Sequence, residues 1–155
     1  MFYLNYLKKM EQIPRFALGT WKSSNDNAVV ESVRYAIEDA GYRHIDCAYV
    51  YGNEENVGKA LNDVITRGVV KREELWITSK LWNTEHHAEH VEAACRNTLK
   101  NLQLDYLDLY IIHWPVSFQR GNGDFPKDND GNFLLDDTVQ IHETWKAMEQ
   151  LVEKK

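Results

Sequence analysis

Apolar positions recur along this chain at two spacings, and the two alternate. ALGTW (Ala17–Trp21) is a short apolar segment. It is followed by NDNAVVESVRYAIEDAG, in which Val29, Val30, Val33, Ala36, Ile37 and Ala40 fall three and four apart. That spacing predicts an amphipathic helix with Asn25 or Asp26 as its cap and Gly41 as its stop. YRHIDCA (Tyr42–Ala48) then reads as a strand. Val57, Leu61, Val64 and Ile65 mark a second helix, ended by Gly68. LWITSKLW (Leu75–Trp82) predicts a third strand. Val91, Ala94, Cys95, Thr98, Leu99 and Leu102 mark a third helix. LDLYIIHWP (Leu107–Pro115) predicts a fourth strand, closed by a proline that has no N–H for a ladder. A long polar loop is expected from about Ser117 to Asp137, and Ile141, Trp145, Met148, Leu151 and Val152 mark a fourth helix.

The order is therefore strand–helix, repeated four times. The strand segments are near-continuous apolar runs, as in a parallel sheet covered on both faces. In such folds sites are built at the C-terminal ends of the strands. In this chain those ends carry Thr20, Trp21 and Lys22; Asp46, with Tyr51 in the loop beyond; Lys80, Leu81 and Trp82; and His113 and Trp114. Each has an ordinary explanation alone. Asp46 can pair with Arg43 or cap a helix, Tyr51 can be a loop aromatic, Lys80 a surface charge and His113 a satisfied core histidine. Four consecutive strand ends with polar or aromatic groups form a pattern.

The set has a coherent chemistry. A free tyrosine is a poor acid at neutral pH, with a pKa near ~10. A neighbouring lysine ammonium favours phenolate, and an aspartate beside that lysine holds it charged and oriented. A histidine can donate to a substrate oxygen. Together these groups can protonate an oxygen that gains negative charge, as a carbonyl does on receiving a hydride. None of them can supply the hydride, so a nicotinamide or flavin is implied. Trp21, Trp82 and Trp114 are placed to wall an apolar pocket.

Composition changes the picture little. The 155 residues are 43% hydrophobic and 27% charged, enough for one core and one domain over residues 1–155. A formal net charge of -6 argues against nucleic acid or an acidic membrane as partner. No apolar run approaches the ~20 residues that span a bilayer. MFYLNYLKKMEQ shows no secretory signal pattern. Cys47 and Cys95, set apart in apolar surroundings, read as reduced thiols of a cytoplasmic protein.

Weaker signals have bland readings. HHAEH (His86–His90) has metal-ligand spacing but no partner cluster, so a solvated helix start is expected and no metal. KDNDGNFLLDD (Lys127–Asp137) is rich in acids like a calcium loop, yet Pro126 would take its first ligand position. It reads as a polar loop over the site. GNEENVG lacks the spacing of a phosphate-binding glycine loop. Glu54 or Glu55 is expected to open the following helix near its positive end.

FALGTWKS (Phe16–Ser23), GYRHIDCAYVYGNEENVG (Gly41–Gly58), VVKREELWITSKLW (Val69–Trp82) and LDYLDLYIIHWP (Leu104–Pro115) resemble the signature segments of the aldo-keto reductases, in order and at similar spacing. The resemblance runs from about Ile13 to the end and is strongest to the aldose and aldehyde reductases. It implies a (β/α)8 barrel, of which this chain carries the first half, about four strands and four helices. It implies NADPH-dependent reduction of aldehydes and ketones, with a small carbonyl compound as substrate. It places a catalytic tetrad on Asp46, Tyr51, Lys80 and His113, with Tyr51 as proton donor. It assigns Thr20, Trp21, Lys22 and Asp46 to the cofactor, and Trp21, Val50, Trp82, His113, Trp114 and Phe125 to the substrate.

Two departures stand out. MFYLNYLKKMEQ lacks the turn signal of the short hairpin with which the family opens. A full barrel of this kind takes ~250 residues, and the family binds most of its dinucleotide with its second half. Three accounts follow: a piece of a longer enzyme, a short chain completed by a second copy or a separate second half, or a non-catalytic remnant. Half a barrel has raw strand edges, which invite self-association.

Overall fold

A computed structural model describes residues 13–22 and 26–154. The opening stretch MFYLNYLKKMEQ, with its expected lack of a hairpin turn, and the expected cap Asn25 lie outside the described residues. Four parallel strands form one sheet in the order β1 (Leu18–Gly19), β2 (His44–Asp46), β3 (Trp76–Leu81) and β4 (Leu109–Ile112). Four helices alternate with them: α1 (Asp26–Glu38), α2 (Glu54–Thr66), α3 (Ala88–Leu102) and α4 (Ile141–Glu153). The expected strand–helix alternation is present, and it matches the first half of a (β/α)8 barrel.

The strands are shorter than their apolar runs. β1 has two residues within the apolar run Ala17–Trp21, and β2 has three within Tyr42–Ala48. Register explains the trimming. Leu18 and Gly19 pair with Ile45 and Asp46, and His44 to Asp46 pair with Trp76 to Thr78. Beyond Asp46 the chain turns out of the sheet into a 3-10 turn, Tyr49–Tyr51. β3 lies at the centre and is buried along its whole length, as expected for a strand covered on both faces. Among the described residues β1 and β4 each pair on one side only.

The main core forms where α1 and α2 lie on the sheet. Val29, Val33 and Ile37 of α1 meet Val57, Leu61 and Val64 of α2 over Ile45, Cys47 and Ile77. Their three-and-four spacing is the apolar stripe read from the sequence. A second cluster joins Leu81, Val91 and Met148, with Tyr110, Ile112 and Leu151 beside them. The α2 and α3 backbones touch at Gly58, where a Cβ would lie 2.4 Å from the Asn101 carbonyl oxygen. Only a residue without a side chain fits there.

The stretch after β4 is more ordered than a polar loop. It folds back on itself through isolated antiparallel bridges, Phe118 with Leu135 and Lys127 with Phe133. Its phenylalanines account for this: Phe118 and Phe133 stack with centroids 5.0 Å apart. At its tip the Asp128 carboxylate accepts from the Asp130 and Asn132 amides, each at 2.9 Å. These amide bonds hold the Asp128 carboxyl below its usual range. The acid-rich stretch is a turn that serves its own backbone.

Candidate active site

The ends of β2 and β3 bring two charges together. Asp46 closes β2 and Lys80 lies one residue before the end of β3, and the Lys80 ammonium donates to both Asp46 oxygens at 2.9 and 3.0 Å. It also donates to the Cys47 carbonyl at 2.7 Å and the Tyr51 hydroxyl at 3.2 Å. Lys80 is largely buried and Asp46 about a third exposed. The alternative partner for Asp46, Arg43, is engaged elsewhere, donating to the Ile37 and Tyr42 carbonyls.

Tyr51 reaches Lys80 because the chain leaves β2 in a tight turn. Gly52 closes that turn with φ 68, a left-handed conformation that favours glycine. The Tyr51 ring meets His113 edge-on at 5.7 Å and stacks with Trp21 at 6.3 Å. His113 follows β4, its amide bonded to the Leu81 carbonyl at 3.0 Å. Burial, then the Lys80 ammonium, pushes the His113 pKa down, against the pull of Asp46. The imidazole is therefore neutral near pH 7, with one N–H to donate and one nitrogen to accept. Its Nδ1 is buried and has no hydrogen-bond partner among the described residues. Asp46, Tyr51, Lys80 and His113 thus meet at one edge of the sheet.

The aromatic residues divide into two groups. Trp82 is buried and packs against Trp114 and Phe125, both with centroids at 5.1 Å, and against His113 at the same distance. Its indole N–H donates to the Asp124 carbonyl at 2.7 Å, so the folded-back loop is fastened to this wall. Trp21 stands on the other side of Tyr51 and is 66% exposed. Val50 is half-buried within the 3-10 turn. The β1 corner has a positive φ of 61 at Lys22, whose ammonium lies 4.7 Å from the centre of the Trp21 ring. Thr20 points inward, its hydroxyl donating to the Asp46 carbonyl at 3.2 Å.

The family model for the aldo/keto reductase family matches residues 15–154. The chain belongs to the aldo/keto reductase family. Aldo-keto reductase family 1 member A1 of Cricetulus griseus is 55% identical over 145 residues, 93% of this chain and 44% of that relative. The Homo sapiens protein of the same name is 54% identical over the same shares. A solved aldose reductase from Schistosoma japonicum superposes with a TM-score of 0.86 at 51% identity, over 92% of this chain and 46% of that one. One from Giardia lamblia gives 0.85 at 48% identity, over 91% of this chain and 46% of that one. This aldo/keto reductase chain spans less than half the length of the relatives it matches.

Several residues around the site escaped the sequence reading. Glu54 does open α2, but its side chain turns inward, where the Ser79 hydroxyl donates to it at 2.6 Å. Burial raises its pKa, against the hydrogen bond from Ser79. HHAEH is a helix start solvated only in part, with Ala88 and Glu89 exposed. His86 is 1% exposed and bonds Ser117 at 3.0 Å, and His87 pairs with Asp136 at 2.9 Å. These histidines hold the returning loop, and the apolar surroundings of His86 keep its pKa down at about 4. Asn53 donates to the Thr20 carbonyl at 2.7 Å. The spacing of neighbours in sequence gives no sign of partners 25 to 49 positions away.

Proposed function

We propose that this chain carries the proton-donating half of an NADPH-dependent aldehyde and ketone reductase. The observation that supports the reading is the Lys80 ammonium set between the Asp46 carboxylate and the Tyr51 hydroxyl. In this reading Tyr51 gives its proton to the carbonyl oxygen, and Lys80 stabilises the phenolate left behind. Asp46 keeps Lys80 charged and pointed at Tyr51. Neutral His113 donates to the same substrate oxygen and so orients the carbonyl toward Tyr51. Trp82, Trp114 and Phe125 form the apolar wall on which the carbonyl compound rests, with Trp21 and Val50 at its margin.

The donor set fits a nicotinamide and contains no hydride source of its own. NADPH supplies that hydride when bound. The exposed Trp21 ring and Lys22 ammonium at the β1 corner are the groups of this chain that would meet it, with Asp46 beside them. Thr20 contributes by shaping that corner, since its hydroxyl faces the sheet.

A second reading is favoured by the pairing of β1 and β4 on one side only among the described residues. A strand edge of this kind can pair with another chain, so two copies can associate, or the chain can act without cofactor as a binding module. Among the described residues no helix is long and apolar enough to cross a membrane, and the free thiols fit a cytoplasmic setting.

The test is titration of the purified chain with NADPH, followed by tryptophan fluorescence and by turnover of a small aromatic aldehyde. Saturable quenching with turnover that Tyr51→Phe abolishes supports the reductase. Turnover unchanged in Tyr51→Phe overturns the assignment of the acid. Absence of quenching in a folded chain favours the cofactor-free reading.

A further inference from the structure

We propose that Asn53 is a positioning residue for the proton donor, tying the turn that carries Tyr51 to the corner that carries Trp21. Its functional side rests on the reductase reading above, and its geometric side stands without it. Asn53 is the residue just before α2, where asparagine is favoured because its side chain can accept from the first free helical amides. In this chain it makes no such bond. Of those amides, that of Asn56 bonds the Asn53 main-chain carbonyl instead, at 3.0 Å, beside the ordinary first helical bond from Val57. The side chain, 5% exposed, reaches across to the next strand end and donates to the Thr20 carbonyl at 2.7 Å. A local rule is set aside for a contact 33 positions away, as happens where a site is being held.

The bond closes a circuit. Thr20 donates through its amide and its hydroxyl to the Asp46 carbonyl at 3.1 and 3.2 Å. The Asp46 carboxylate holds Lys80, and Lys80 holds the Tyr51 hydroxyl. Asn53, two residues past Tyr51, returns the circuit to Thr20. Trp21 follows Thr20, and its ring stacks on Tyr51 at an interplanar angle of 28°. The Asn53–Thr20 bond is thus the tie beside the two rings that face each other across the site. Without it the Tyr51 turn keeps its own hydrogen bonds but loses its register against β1.

The experiment uses Asn53→Asp, which conserves size and removes the donor while the carboxyl is ionised. Ring-proton Overhauser contacts between Trp21 and Tyr51 are measured in the full chain, with signals assigned through Trp21→Phe and Tyr51→Phe. The variant is expected to fold and to lose these contacts at neutral pH. It regains them on acidification, when the carboxylic acid can donate to Thr20. In a preparation that turns over aldehyde, kcat falls by about tenfold or more while KM for the aldehyde stays within about twofold, as expected when orientation is lost and binding is kept. Wild-type contacts at neutral pH overturn the proposal, as does a loss that acid does not reverse. If Asn53→Asp does not fold, Asn53→Ala is read at neutral pH; unfolding of both overturns the proposal, because Asn53 then holds the fold as a whole. Should Tyr51→Phe leave turnover intact, the reductase reading falls while the ring contacts still decide the role of Asn53.

Discussion

The Lys80 ammonium sits 2.9 Å from one Asp46 oxygen and 3.0 Å from the other, a two-pronged grip between the ends of adjacent strands. The two residues are 34 positions apart, and the parallel pairing of β2 with β3 makes them neighbours. In a preparation that reduces aldehydes, Lys80→Met is expected to lower kcat by about 10²–10⁴-fold, the usual range for losing acid–base assistance. Asp46→Asn should cost less, since the ammonium keeps the Cys47 carbonyl and the Tyr51 hydroxyl. Steady-state kinetics of the two variants side by side check the order. The reverse order refutes the division of roles between the two residues.

Gly58→Ala should destabilise the chain although it adds a single methyl. The new Cβ would meet the Asn101 oxygen at 2.4 Å and two Leu102 backbone atoms at 2.7 and 2.9 Å. All three are main-chain atoms and cannot swing aside. Overpacking of this kind costs about 1–3 kcal/mol or more. The urea midpoint should fall with the slope unchanged, and an unchanged midpoint would show that α2 and α3 can separate freely.

His86 should make stability depend on pH. Its pKa is about 4 in the folded chain, against an ordinary 6.5. Between those values the unfolded chain holds a proton that the folded chain does not. Stability therefore rises with pH from about 4 to 6.5 and is complete above that. A shift of this size is worth on the order of 3 kcal/mol at most. Urea unfolding on either side of the window should show the slope, and His86→Asn should flatten it.

Glu54 acts with the opposite sign. Burial raises its pKa above 4.5, so its contribution is greatest at acid pH and declines as pH rises through the ordinary carboxyl range to the folded value. Glu54→Gln keeps an acceptor for Ser79 and removes the buried charge. It is expected to be more stable than the parent at neutral pH by thermal unfolding, and a lower midpoint would mean that the charge itself is needed.

The elements were legible because burial leaves a periodic trace. Val29, Val33 and Ile37 announce α1, and the apolar run of β3 announces a central strand. The polar strand ends were legible for a related reason: Asp46, Lys80 and His113 are ionisable groups near the ends of largely apolar runs. Asn53 leaves no such trace, since a small polar residue next to a turn looks like a turn residue, and Ser79, inside β3, gives no sign of the carboxylate it meets. Glu54 reads as a helix-start charge because sequence shows the helix it begins and hides the strand it leans on. His86 reads as solvated for the same reason, its burial coming from a loop that returns 31 positions later.

Cys47 shows how differently one residue's two halves can behave. Its carbonyl takes part in holding Lys80, while its thiol is fully buried and pushed far above the usual thiol range. Cys95, partly covered, is raised to about 11. Neither sulfur is a ready nucleophile in the folded chain. An alkylating reagent should reach Cys47 only when β2 detaches from its neighbours, so the rate at which this thiol is blocked is a clock for opening of the strand that carries Asp46.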